Sequence, residues 1–228
     1  MYKNKTFLAI IPARGGSKRL PRKNVLELEG KPLISYSIES ALNSKYVDKV
    51  VVSSDDSEIL EVSQKFGSTI LKRPDSLATD TSSTFDAIHH TIENYNSYDY
   101  IILLQPTSPL RTSKHIDEAI ELLHSKNADA IISVTQMEHS PLWSNTLDKH
   151  GSMRNFINDE IRNKRSQDLE IHYRLNGAIY ICQKDRLLTE KCFFIKNNIY
   201  AYQMDNESSI DIDEEIDFKL AKLYMEEK

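Results

Sequence analysis

Short runs of apolar, β-branched residues alternate along this chain with segments whose apolar residues recur at helical spacing. Phe7–Pro12, Lys49–Ser53 (KVVVS), Thr69–Lys72, Tyr100–Leu104 (YIILL) and Ala130–Val134 (AIISV) read as strands. Between them, Leu33, Ile34, Ile38, Ala41 and Leu42 mark one helix, and Ile116, Ala119, Ile120 and Leu123 mark another. Two more helices open at capping residues, one at Ser54–Asp56 and one near Ser82 or Ser83 that runs through Ile92. Strands that are apolar throughout must be covered on both faces, and strands joined through helices run parallel. The expectation is an α/β fold of three layers around a mostly parallel, Rossmann-like sheet. At 228 residues the chain suffices for one such domain, 1–228.

The alternation breaks between Glu138 and Arg174, a polar stretch that holds the sole tryptophan, Trp143. An inserted arm or lid over 139–174 fits that break. Strand character returns at Asn176–Cys182 (NGAIYIC) and again at Tyr200–Met204, and Ile216, Leu220 and Leu223 mark a last amphipathic helix. The apolar stretch near the start is short and is followed by a basic loop, unlike a secretory signal. Only Cys182 and Cys192 are present, at no metal-ligand spacing, so a reducing cytoplasm is the expected compartment. A net charge of −5 argues against a general nucleic-acid binder.

Charge is segregated along the chain. Residues 1–26 carry seven Lys or Arg and no acid, while residues 205–217 carry seven Asp or Glu and no base. The segment IPARGGSKRLPRKN (11–24) sets Gly15 and Gly16 behind the first strand and crowds Arg14, Lys18, Arg19, Arg22 and Lys23 into ten residues. Parallel α/β sheets bind ligands beyond the carboxyl ends of their strands, where this loop falls. A triphosphate carries about four negative charges and needs several cations and N–H groups to replace its water. The loop matches neither the dinucleotide-binding nor the ATPase-type glycine motif, and on charge alone an ordinary basic surface loop is an equal reading. At the other end, SIDIDEEID (209–217) alternates Asp211 and Asp213 with Ile210 and Ile212. In a strand both carboxylates share one face and could hold magnesium; an acidic helix start explains Glu214, Glu215 and Asp217 but not the Ile-Asp-Ile-Asp alternation.

With these segments in view, the sequence resembles the CMP-sialic acid synthetases, or N-acylneuraminate cytidylyltransferases. The resemblance rests on IPARGGSKRLPRKN, RPDSLATDTSST (73–84), LLQPTSPLRT (103–112), RLNGAIY (174–180), CFFI (192–195) and SIDID (209–213), in the family's order. It implies a nucleotidyltransferase sheet with a dimerisation arm at 139–174 and a homodimer whose arm reaches over the partner's site. By the same resemblance, Arg14, Lys18 and Lys23 would bind the phosphates of CTP, Asn24 and Thr84 would lie near the ribose, and Arg73 would read cytosine. Asp211 and Asp213 would hold magnesium. Gln105, Tyr180, Phe193 and Phe194 would form the acceptor-sugar pocket, with Arg165 or Arg174 meeting the sugar carboxylate. Arg19 and Arg22 are left without a role beyond their charge. Trp143 stands where some relatives carry a basic residue, and Thr84 where some carry serine.

The implied reaction joins CTP to a nonulosonic acid, N-acetylneuraminate first, with release of pyrophosphate. Legionaminate is the nearest alternative acceptor, and pseudaminate and Kdo are more distant ones. A non-catalytic nucleotide-sugar sensor on the same fold is the rival from another class. No histidine falls in a zinc-site spacing or a nucleophile-elbow context.

Overall fold

A computed structural model describes residues 1–79 and 81–226. Its centre is a seven-stranded sheet made of β1 (Phe7–Pro12), β4 (Lys49–Ser54), β5 (Thr69–Lys72), β6 (Tyr100–Leu103), β7 (Ala130–Gln136), β8 (Tyr173–Gln183) and β9 (Ile199–Met204), in the order β5-β4-β1-β6-β8-β7-β9. The first four neighbours in that order are parallel. β8 runs antiparallel to both β6 and β7, and β9 closes the edge parallel to β7. Two-residue strands β2 (Glu27–Leu28) and β3 (Lys31–Pro32) form a separate hairpin. Its turn residues Glu29 and Gly30 both have positive φ, as a two-residue hairpin turn requires.

Period-two alternation along β1 sorts the core into two layers. Phe7, Ala9 and Ile11 face α1 (Leu33–Leu42) and α4 (Ser113–Ser125), where Ile34, Ile38, Ile116 and Ile120 are buried. Leu8 and Ile10 face the opposite layer with Ile88 and Ile92 of α3 (Thr84–Asn94) and Leu187 of α5 (Lys184–Glu190). All five β1 residues from Phe7 to Ile11 are fully buried, and each large one contributes about 1.5–3 kcal/mol by leaving water. Helix α2 (Ser57–Lys65) starts where Asp56 accepts the N–H groups of Glu58 and Ile59, and α3 starts in a capping box of Ser83 with Asp86. The expected three-layer architecture is the one observed.

Two expectations need correction. SIDID is not a strand: Ser209 ends a single 3-10 turn and Ile210–Asp213 lies outside any sheet, with a backbone bond from the Ile212 N–H to the Thr107 carbonyl (2.8 Å). The final helix, α6 (Glu215–Glu226), presents Ile216, Leu220 and Leu223 to solvent; its buried face is Ala221, with Phe218 and Met225 half-packed. The periodicity located the helix but pointed its stripe the wrong way.

The break in alternation is an excursion between β7 and β8. Their pairing at Gln136–Tyr173 and a bond from the Met137 N–H to the His172 carbonyl close its base. Beyond that base the chain forms only short turns, and Leu142, Leu147, Met153 and Ile171 are exposed.

Candidate functional site

The parallel strands β1, β4, β5 and β6 end at one edge of the sheet, and the loops that follow them meet over it. They enclose a cleft of about 810 Å³ lined by Arg14, Lys18, Arg19, Lys23 and Arg73 on the cationic side and by Asp211 and Asp213 on the acidic side. Asn24, Thr84, Gln105 and Thr107 complete its walls. A second, mainly apolar pocket of about 230 Å³ opens beside it, walled by Phe85, Ile88, Leu103, Tyr180, Phe193 and Phe194. Thr84 and Gln105 line both cavities.

The glycine loop is held from several sides. Gly15 donates its N–H to Asp55 (3.2 Å), and Asn24 donates to the Arg14 carbonyl (3.1 Å). A Cβ on Gly15 would stand 2.7 Å from a carboxylate oxygen of Asp56, the cap of α2, so this glycine is required by the protein's own packing; Gly16 has open space around it. Asp55 also pairs with Arg73 (3.4 Å), which is buried, and that burial holds its guanidinium pKa below the ordinary value. The loop after β4 thereby joins the glycine loop to Arg73, another residue lining the cleft. Sequence reasoning passed over Asp55, and its place directly after a parallel strand was the available signal.

Lys23 is the hinge between the two charged segments. Its ammonium donates to the Ile212 carbonyl (2.7 Å) and to Asp213 (3.0 Å), and Arg19 reaches the other Asp213 oxygen (3.1 Å). Arg19 thus belongs to the cleft, although nothing in its motif position marked it. Arg22 turns away and pairs with Glu58 on the surface.

Asp211 is in a different state from Asp213. Burial raises its pKa above the usual 3.8, opposed by a hydrogen bond from the Thr107 side chain and reinforced by the Asp213 charge. Its Oδ1 is buried with no hydrogen-bond partner. An orphaned carboxylate oxygen facing a phosphate-sized cleft is the environment a hard divalent cation satisfies, so the donor set fits magnesium. Among the described residues no group of three or more His, Cys, Asp or Glu could hold a metal alone. Substrate oxygens would have to complete the shell. Asp217 plays the structural part anticipated for it: its carboxylate accepts the N–H groups of Asp213 (3.0 Å) and Glu214 (2.8 Å) just ahead of α6.

Gly177 abuts Gln105, which lines both cavities. Its φ of +74° kinks β8, and a Cβ there would stand 2.6 Å from Gln105 Oε1 and 3.7 Å from an Asp211 oxygen. Buried Asn176 fixes the kink. It accepts from Ser133 (2.6 Å) and from the Ala178 N–H (3.2 Å), and it donates to Ser209 (2.9 Å), two residues before Asp211.

In the smaller pocket Tyr180 lies 5.7 Å from Phe193 and 6.3 Å from Phe194, ring centre to ring centre. Phe193 is buried and Phe194 is exposed. Burial, with the Asp211 charge adding to it, holds the Tyr180 phenol neutral. Arg165 and Arg174 line neither cavity of the single chain. Arg165 pairs with Asp168 within the excursion (2.9 Å), and Arg174 lies exposed near the start of β8. From the motif RPDSLATDTSST, Arg73, Leu77, Ala78, Thr79, Ser82, Ser83 and Thr84 line the cleft; Asp80 lies outside the described residues.

Comparison with known proteins bears on this geometry. A family model described as Cytidylyltransferase matches residues 8–228. The N-acylneuraminate cytidylyltransferase of Escherichia coli O18:K1:H7 is 40% identical over 223 residues, covering 97% of this chain and 52% of that protein. The chain therefore spans about half the length of that relative. The CMP-N,N'-diacetyllegionaminic acid synthase of Legionella pneumophila is 35% identical, with 96% of each chain covered. A solved structure of CMP:2-keto-3-deoxy-manno-octonic acid synthetase complexed with CTP has the same fold, with a TM-score of 0.73 at 19% identity, covering 97% of this chain and 99% of that one.

Proposed function

The chain belongs to the cytidylyltransferase family, and on that premise we propose that it transfers the cytidylyl group of CTP to a nonulosonic acid, N-acetylneuraminate first among candidates. The observation that carries this reading is the junction at Thr84 and Gln105 of a cation-lined cleft with an apolar, aromatic pocket. One cavity suits a triphosphate and the other suits the acyl-bearing face of a sugar.

In the proposed reaction the anomeric C2 hydroxyl attacks the α-phosphorus in line. A new P–O bond forms as the bond to the bridging oxygen breaks and pyrophosphate leaves. Positioning and charge neutralisation carry the chemistry, with no covalent enzyme intermediate. Arg14, Lys18 and Lys23 neutralise the leaving pyrophosphate, Asn24 and Thr84 hold the ribose, and Arg73 reads cytosine. Asp211 and Asp213 would hold magnesium, which supplies charge neutralisation at the phosphate oxygens when bound. If one aspartate serves as base instead of magnesium ligand, the raised pKa of Asp211 suits it to accept the hydroxyl proton. Gln105, Tyr180, Phe193 and Phe194 orient the acceptor.

The sugar carboxylate is assigned to Arg165 of a second copy, delivered by the 139–174 excursion of a homodimer. Exposed Leu142, Leu147, Met153 and Ile171 support that assignment, since an arm that docked nowhere would have no reason to carry them. A cytoplasmic location belongs to the same reading, supported by unpaired Cys182 and Cys192; no helix among the described residues is long and apolar enough to cross a membrane.

The test is pyrophosphate release from CTP and magnesium with N-acetylneuraminate, legionaminate, pseudaminate and Kdo in parallel. Release with none of them, alongside calorimetric CTP binding, would leave the non-catalytic sensor. Light scattering should give a dimer, and dilution that yields monomer should lower specific activity and shift Trp143 emission to the red. A monomer with full activity refutes the arm.

A further inference from the structure

Among the described residues Arg111 is the largest fully buried side chain, and none of them gives it a carboxylate partner. Burying an unpaired guanidinium is costly, and burial alone pushes its pKa down to about 9. What it holds in return is specific. Nη1 donates to the carbonyls of Ala178 (2.9 Å) and Gln105 (3.2 Å), and Nη2 donates to the hydroxyls of Ser37 (2.6 Å) and Ser40 (3.4 Å). Ser37 in turn donates to the same Gln105 carbonyl (3.1 Å).

The two clamped carbonyls belong to the residue that lines both cavities and to the neighbour of Gly177. Gln105 and Gly177 approach so closely that a Cβ on Gly177 would stand 2.6 Å from Gln105 Oε1. We infer that Arg111 is a positioning residue for the acceptor: it fixes the separation of Gln105 from the β8 kink, and with it where the attacking sugar sits relative to the triphosphate. A residue serving only to fill space there would be apolar at lower cost. The fork of the guanidinium is what spans two carbonyls and two hydroxyls at once, which a lysine ammonium on its flexible stem cannot reproduce. The CTP-facing cations Arg14, Lys18, Lys23 and Arg73 lie outside this clamp.

The inference rests on the cytidylyltransferase reading, and two variants test it. In Arg111→Lys the KM for the acceptor that wild type turns over best should rise about tenfold or more with a fall in kcat, because small misplacements of reacting groups are costly. The Kd for CTP, measured by calorimetry without acceptor, should stay within about twofold of wild type. Ser37→Ala, which keeps the arginine, should shift acceptor KM in the same direction by about threefold. Hydrogen exchange should quicken at 105–111 and 177–179 in both variants and stay unchanged at 11–24. If Arg111→Lys does not fold, Ser37→Ala decides alone. Wild-type acceptor KM in a folded variant, or CTP binding lost in parallel with acceptor KM, overturns the inference. Absence of turnover in wild type refutes the parent reading instead, and exchange at 105–111 and 177–179 then decides the clamp by itself.

Discussion

Replacing Lys23 by methionine keeps the buried stem and removes the donors, which separates two things this residue does. Its side chain is only 12% exposed, and its ammonium bonds the Ile212 carbonyl and Asp213, 189 and 190 residues away in sequence. Losing the bond to Ile212 costs about 1.5–3 kcal/mol for a charged donor. The Asp213 pair adds about 0.5 kcal/mol, since that carboxylate is 42% exposed and keeps Arg19. Together these predict a loss of about 2–3.5 kcal/mol, or about 4–14 °C in Tm for a chain of this size. Lys23 also faces the cleft as a proposed phosphate contact, and removing such preorganised charge costs about 2–4 kcal/mol of transition-state stabilisation, roughly 30- to 1000-fold in kcat/KM. Thermal melts with and without CTP, beside initial rates of pyrophosphate release, measure both. Saturating CTP at about 100 times Kd should raise wild-type stability by about 2.7 kcal/mol and the variant's by clearly less at the same concentration. A variant that melts like wild type refutes the staple between the charged segments. One that melts low but turns over normally refutes the phosphate contact.

Asp211→Asn should abolish turnover while leaving the apo protein as stable as wild type or more so at neutral pH. The raised folded pKa of Asp211 means that its contribution to stability is full below the unfolded value near 3.8 and is lost as pH rises through the folded value. The Tm advantage of the variant should therefore shrink as pH falls toward that value, and an advantage that grows in acid refutes the assignment. Gly177→Ala places a Cβ 2.6 Å from Gln105 Oε1 at a φ of +74°, so it should cost about 1–2 kcal/mol of stability and raise acceptor KM with CTP binding intact. Unchanged acceptor kinetics would mean that the contact of Gln105 with β8 does not set the acceptor's place.

Where local chemistry dictated the outcome, the sequence was readable. Apolar runs located β1, β4, β6 and β7, helical spacing located α1 and α4, and capping residues located α3, because each of these elements buries a face in the core. The antiparallel course of β8 was not readable, since a strand buried on both faces carries no mark of its direction. The stripe on α6 failed for a related reason: periodicity says that a helix has an apolar side, while the chain geometry after Asp213 decides which side meets Leu28 and Leu33. Ile210–Asp213 shows that a pattern can succeed for the wrong cause. Any extended segment alternates its side chains, so Asp211 and Asp213 both face the cleft without a ladder, and Ile212 is buried beneath them.

Charge segregation signalled that the two ends of the chain meet, but not how the charges divide once they do. Asp213 is spent on Lys23 and Arg19, whereas Asp211 keeps an oxygen that no described residue satisfies. Thr107, in the loop after β6, and the kink at Gly177 in β8 both come up to Asp211. Two aspartates that look equivalent in a repeated Ile-Asp pair therefore differ in burial and in hydrogen-bond partners. The same logic covers Arg111, whose neighbours in sequence reveal only a turn. Its meaning comes from the carbonyls of Gln105 and Ala178, six and 67 residues away, and contacts of that range exist only after the sheet has assembled.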